Sequence, residues 1–368
     1  MASTAPLKAE DAEQGRAAMN VADPVSPTSP RAAAVAALMT KFGLLGFFTF
    51  SRAIHPLIID KTKENGKYPH EPVTIVFMSS IVIFVFMQLV TLMQGGLEQW
   101  KQIWSPKPMM VFSVIGFVYA IGDWLELKSL GGLSGPMYQV LSQSKLMITA
   151  AMMYGIKGTK QSPLQWILLV LLMLALCSYS IMGDLLEQHK ALQQGKEIKE
   201  GKNTTFGMIM GLLKVVVSCL AAVLSDKYMK DFKSEPIYMQ LVQFKVSWLI
   251  TLIALMFIES NPMRDGVFHE WKPVTVAALV SFTVKGWSTM YLLAILDSML
   301  KNIGEAFSVL VIYFISVFHA SFDDEYENET FITVMVVFLS VVAYLAAKDV
   351  VAKAEQYDRS QLKGGVKV

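Results

Sequence analysis

Apolar runs of about twenty residues, the length that carries a helix across a ~30 Å hydrocarbon core, recur throughout this chain. Ten are legible, at 34–59, 72–94, 109–128, 133–154, 164–183, 206–229, 236–259, 274–296, 302–320 and 330–347. Only short polar turns separate most of them, so the expected fold is an all-α polytopic membrane protein with ten transmembrane helices. Composition agrees: 54% of residues are hydrophobic and 17% charged, against about 25% charged in a soluble domain. The lipid bilayer is therefore the first partner implied. Net charge is +2 and spread along the chain, with no basic cluster interleaved with exposed aromatics, which argues against nucleic acid as a partner. Cys177 and Cys219 each fall inside an apolar run, where a thiol serves as a small buried hydrophobe.

The longest polar break, 184–205, divides the spans into five and five. The expected organisation is a disordered cytosolic tail over 1–33, rich in Ala, Pro and Ser, a first five-helix repeat over 34–183, a lumenal linker over 184–205, a second repeat over 206–347 and a cytosolic tail over 348–368. Orientation follows from the lysines and arginines outside the spans: 16 lie on the side that holds both termini and 10 on the other, so the termini are expected in the cytosol. Both Asn-X-Ser/Thr sequons, at Asn203 and Asn328, fall on the opposite, lumenal side. A shift of 169 residues lays the segment starting at Gly135 on that starting at Gly304. With an odd number of spans per half the two repeats would insert with inverted topology, a common transporter architecture.

Charges inside spans are costly and usually face a bundle interior or a water-filled cavity. Here they are mostly positive: Lys41, Arg52, Lys145, Lys214, Lys245 and Lys285 stand against Asp123 and Glu126. Unless chloride or hidden carboxylates balance that excess, the cavity should attract a multiply charged anion such as a phosphate. Lys41, Arg52 and Lys214 are open to a second reading, in which they snorkel to an interface. Lys145 and Lys285 lie near the centres of their spans. In span four Tyr138, Ser142 and Lys145 follow at i, i+4 and i+7 and share one helix face, suited to stacking on a base and binding a phosphate, or to helix packing.

Tyr138-Gln139-Val140-X-X-Gln143-X-Lys145, followed by Ser162-Pro163-Leu164-Gln165-Trp166-Ile167, resembles the span-four and span-five signature of the Golgi nucleotide-sugar transporters, in the CMP-sialic acid and UDP-galactose branch of the drug/metabolite transporter superfamily. Phe50-Ser51-Arg52, the stretch Ser218 to Lys230 and Asp297-Ser298-Met299-Leu300-Lys301 are similar to further motifs of that family, in order from about residue 40 to 347. The resemblance implies that Lys145 and Lys301 contact substrate phosphates and that Tyr138 and Gln139 line a nucleotide pocket, with Ser142, Lys285 and Asp123 as additional candidates. It implies exchange of a nucleotide sugar for a nucleoside monophosphate across the Golgi membrane by alternating access. This chain departs from the family pattern at Asp123-Trp124, Phe86, Leu89, Gln240-Leu241 and Ala294, positions expected near the cavity, so its cargo should differ in detail.

His55-X4-Asp60 and His319-X4-Asp324 have the spacing of a His-Asp general-base pair, but a two-residue pattern occurring twice at span ends is a weak sign of catalysis; no enzyme is expected. No His/Cys set has metal-ligand spacing, the acidic loop at 323–327 reads as a solvated turn, and no Gly-X4-Gly-Lys-Ser/Thr occurs, so no cofactor is implied. A carrier of another phosphorylated or organic anion and a non-transporting scaffold remain alternatives. Gly207-X3-Gly211 suits close helix packing, within the chain or in a homodimer.

Overall fold

The computed structural model describes residues 30–62, 68–130, 138, 141–193, 204–259, 264–318 and 328–364. The described residues divide into two units, with the boundary between Thr40 and Lys41. Within the first, the structure describes the opening turns of a helix, where the Thr40 hydroxyl donates to the Ala36 carbonyl at 2.9 Å. All other helices belong to the second unit.

Among the described residues the secondary structure is helical: α1 Pro30–Asp60, α2 Pro72–Gln102, α3 Pro106–Leu130, α4 Lys145–Lys157, α5 Pro163–Gln193, α6 Thr204–Asp231, α7 Ile237–Glu259, α8 Pro273–Ile295, α9 Ser298–Phe318 and α10 Asn328–Gly364. Nine are long and apolar enough to cross a membrane. Five open on proline, whose fixed φ suits the first helical turn and whose missing N–H is one that turn leaves unpaired anyway. α2 breaks at Gly96, with φ +61°, and α4 ends at Gly158, with φ +69°, conformations that glycine adopts without steric cost. The outer surface exposes Val85, Phe86, Leu89, Ile167, Leu174, Ile250, Phe257 and Leu339, a belt suited to lipid. The protein is a multi-pass membrane protein.

Several boundaries differ from the sequence expectation. Span four, expected as one helix over 133–154, is interrupted: residues 143–144 form a turn and α4 starts at Lys145 with only 13 residues. The Ser144 hydroxyl donates to the Leu141 carbonyl at 2.8 Å, a local side-chain bond of the kind that competes with the helical ladder. The linker expected over 184–205 is helical up to Gln193, and the tail expected from 348 continues α10 to Gly364. In both places hydropathy falls while Glu, Lys, Gln, Ala and Leu keep helix propensity high. The tail over 1–29, Asn203 and the acidic loop at 323–327 lie outside the described residues.

Two apolar clusters organise the bundle. One is built mainly from α2, α3, α7 and α8, around Phe112, Ile115, Phe244 and Met290; the other mainly from α4, α5, α9 and α10, around Leu146, Leu172, Ile303 and Tyr344. α3 packs on both α6 and α7, α2 on α7, and α5 on α10. The approach of α3 to α7 is close because Gly116 has no side chain: a Cβ there would lie 2.2 Å from the Phe244 carbonyl oxygen. Gly207 and Gly211 are buried, and the Gly207 carbonyl accepts the Ser129 hydroxyl at 3.0 Å, so this glycine face serves packing within the chain. Cys177 and Cys219 are free thiols.

Candidate functional site

A cavity of about 530 Å³ draws its wall from both clusters and from α1 and α6. Arg52 enters from α1, Asp123 and Glu126 from α3, Lys145 from α4, Lys214 from α6, Lys285 from α8, and Lys301 and Glu305 from α9. Pro56, one turn after Arg52 in α1, removes the N–H that would have bonded the Arg52 carbonyl.

Charge pairing inside the cavity is uneven. Glu305, with its side chain 7% exposed, takes Arg52 and Lys301 on Oε1, the latter at 2.9 Å, and Lys145 on Oε2. Lys214 pairs with Glu126 at 2.7 Å and donates to the Tyr138 hydroxyl. Lys285 sits 3.9 Å from the Phe282 ring centroid; among the described residues it has no carboxylate within salt-bridge distance. Asp123 presents a buried, unpaired Oδ2. Tyr119 and Trp248 stack with ring centroids 5.1 Å apart and form an aromatic section of the wall. Such a cavity can hold an anion at its ammonium and guanidinium groups and a flat ring against its aromatics.

The two ends differ. Tyr68 and His70, between α1 and α2, and Pro72, the first residue of α2, line the cavity at one end; burial holds His70 below the ordinary imidazole range. Ion pairs gather at the opposite end, where α4, α6, α9 and α10 meet. Asp226, fully buried, accepts Lys157 of α4 at 2.7 Å, the backbone N–H of Ser298 at 3.0 Å and Lys230 at 2.5 Å. Lys230 also donates to the Leu296 carbonyl. Asp297 pairs with Lys348 of α10 at 2.7 Å. Burial raises the Asp297 pKa, but Lys348 and the Leu300 N–H outweigh it and hold the carboxyl below its usual range.

The structure brings six of the seven residues singled out from sequence to one cavity: Tyr138, Ser142, Lys145, Lys301, Lys285 and Asp123. The seventh, Gln139, lies outside the described residues. Two of the six cations counted inside spans stay out of the cavity. Lys41 is exposed and forms no part of the wall. Lys245 is buried behind the wall, 3.1 Å from the Ser80 hydroxyl and 3.4 Å from the Trp248 ring centroid. Of the departures from the family pattern, Phe86 and Leu89 face outward, at 56% and 51% exposed. Gln240 donates to the Met229, Phe232 and Glu235 carbonyls around the α6–α7 turn, away from the cavity. The His55 ring pairs with the Ser281 hydroxyl at 3.0 Å, and His319 and Asp324 lie outside the described residues. Glu305 was the residue missed; its spacing of four after Lys301 is the ion-pair spacing of a helix.

A helical bundle with a charged cavity at its core has the form of a polytopic membrane carrier. The chain belongs to the nucleotide-sugar transporter family: the family model described as Nucleotide-sugar transporter matches residues 38–345. Among its relatives, UDP-galactose translocator 1 of Caenorhabditis elegans is 25% identical over 217 residues, 58% of this chain and 59% of that one. CMP-sialic acid transporter 1 of Oryza sativa subsp. japonica is 21% identical over 85% of this chain and 95% of its own. The UDP-N-acetylglucosamine transporter of Rattus norvegicus is 22% identical over 66% and 71%. A solved crystal structure shares the fold, with a TM-score of 0.61 and 10% identity, over 84% of this chain and 98% of the other.

Proposed function

We propose that this protein exchanges a cytosolic nucleotide sugar for a lumenal nucleoside monophosphate across the Golgi membrane. The observation that carries the reading is the convergence of Arg52, Lys145 and Lys301, from three helices, on one point of the cavity. A phosphate accepts donors of that geometry. Lys145, Lys301 and Lys285 bind the phosphates, Tyr138 and Ser142 line the nucleoside, and Asp123 accepts a donor from base or sugar. The relatives carry three different nucleotide sugars in their names, which fits a shared phosphate site beneath variable chemistry.

Alternating access is supported by the packing. Exchanging each helix for the one five places on maps α3 on α7 onto α8 on α2, and α4 on α5 onto α9 on α10. The contacts of α1 with Gly304, Ser281 and Ser288 likewise correspond to those of α6 with α3 and α4. Two inverted five-helix repeats have this property, and rocking of two such bundles around a midplane site moves cargo. With both termini cytosolic, the end gathered by ion pairs faces the cytosol and the end lined by Tyr68 and His70 faces the lumen.

Thermal stabilisation of the purified protein by a panel of nucleoside monophosphates and nucleotide sugars tests this, because a ligand that binds the folded state raises stability by mass action. One nucleotide should stabilise selectively. Lys145→Ala and Lys285→Ala should each lose about 1.5–3 kcal/mol of binding, the range for a hydrogen bond to a charged group, whereas Lys41→Ala should retain it. A folded protein that responds to no nucleotide sinks the reading and transfers the cavity to another organic anion.

A further inference from the structure

We propose that Glu305 is a built-in stand-in for the substrate's phosphate: it occupies the cavity's cations when the carrier is empty and yields them when cargo binds. The proposal rests on the reading of this cavity as a phosphate site. Arg52, Lys145 and Lys301 come from α1, α4 and α9, and all three are held by the two oxygens of one carboxylate. Glu305 lies one turn beyond Lys301 on α9, inside the wall, with its side chain almost fully buried. Three like charges gathered in a region of low dielectric repel strongly unless a counter-charge is present, and Glu305 supplies it from within the chain.

A phosphate entering the same place needs the same donors. It is also an anion, so it cannot share them with the carboxylate without repulsion, and Glu305 must swing aside. Lys285, whose contact is with the Phe282 ring, is the cavity cation that incoming phosphate meets without displacing a carboxylate. Glu305 therefore lowers affinity by holding the cavity in a state that cannot bind; apparent affinity falls in proportion to the fraction of protein that is competent. Its removal should tighten anion binding, a result that a merely structural role does not produce, since loss of a structural ion pair weakens a site.

The test measures binding of inorganic pyrophosphate, which has no base or sugar, to full-length wild-type, Glu305→Gln and Glu305→Asp proteins by calorimetry, alongside the nucleoside monophosphate panel. Glu305→Gln should bind pyrophosphate at least about tenfold more tightly than wild type, as expected if the form with Glu305 on the cations holds nine-tenths of the population. Glu305→Asp keeps the charge but draws it back from the cations, and should shift affinity in the same direction by less. If Glu305→Gln does not fold, the Asp variant decides by the same sign. Unchanged or weaker pyrophosphate binding in folded variants overturns the proposal, as does absence of pyrophosphate binding in all three proteins. Tighter pyrophosphate binding with no nucleotide response keeps Glu305 in this role and removes the nucleotide reading. Nucleotide binding to wild type, with pyrophosphate affinity indifferent to both variants, does the reverse.

Discussion

Asp226→Ala should open the ion-paired end of the carrier. That carboxylate is fully buried and ties Lys157 of α4, Lys230 of α6 and the start of α9 at Ser298 into one knot. Removing one partner of a buried ion pair costs about 3–5 kcal/mol, because the other charge is left without compensation. Here Lys157, 18% exposed, loses its counter-charge, whereas Lys230, 37% exposed, is left with solvent and the Leu296 carbonyl. The cost falls on the conformation that contains the knot, so the balance should move toward the form open at this end by more than about a hundredfold, since each 1.4 kcal/mol is a factor of ten. Cys219 is a native reporter: its thiol lines the cavity, and Cys177→Ser removes the other thiol. In sealed vesicles, a membrane-impermeant maleimide added on the side of the ion-paired end should alkylate Cys219 in Asp226→Ala far faster than in the parent. Equal rates would mean that the closure rests on apolar packing and that Asp226 is incidental to it. Acid should act in the same direction through Asp297. Its pKa is lowered in the folded protein, so its contribution to closure is complete above the ordinary carboxylate range and is lost as the pH falls through the lowered value.

The helices were legible because spanning a bilayer imposes a length and a hydropathy that few residues can disguise. Span four was the exception, and the reason is local. Ser142, Gln143 and Ser144 do not lower hydropathy enough to end a span, yet they break the helix just ahead of Lys145. The turn keeps Tyr138, Ser142 and Lys145 on the cavity wall, where continuous helical register would also put them, by a path that the backbone does not follow. Helix ends past the apolar core were misjudged for a related reason: α5 and α10 continue on helix propensity after hydropathy has stopped reporting.

Individual charges were visible in the sequence, but their pairing was not. Counting Lys245 with the cavity cations failed because burial and access differ; its ammonium rests on Trp248 and the Ser80 hydroxyl, behind the wall. Glu305 escaped because its partners come from α1 and α4 as well as from its own helix. Only the i,i+4 relation to Lys301 was local, while Arg52 and Lys145 are 253 and 160 residues away. Asp226 hid inside a motif read for its resemblance to the family, although its carboxylate bridges Lys157 of α4 and Lys230 of α6.

Gly116→Val should be the most damaging substitution in the bundle that is remote from any charge. A Cβ at this position would lie 2.2 Å from the Phe244 carbonyl oxygen and 2.5 Å from the Ser247 hydroxyl. The first of these is backbone and cannot rotate away, so α3 and α7 must move apart. Separation breaks the 2.6 Å hydrogen bond from Ser247 to the Ser113 carbonyl and opens the contact of Phe112 with Phe244, whose ring centroids are 4.9 Å apart. Overpacking of a tight core costs about 1–3 kcal/mol and sometimes more, and the added loss of a buried hydrogen bond puts this variant at the upper end. Gly46 is the matched control, since nothing lies within 4 Å of a Cβ there; Gly46→Ala in a helix should be neutral or gain a few tenths of a kcal/mol up to about 1. Heating in detergent followed by size-exclusion chromatography should show Gly116→Val aggregating well below the parent and Gly46→Ala at or above it. Because Tyr119 and Asp123 follow Gly116 on the same helix, whatever Gly116→Val protein survives should also bind ligand poorly. A variant with parent-like stability would mean that α3 and α7 do not approach as closely as the Gly116 contact requires.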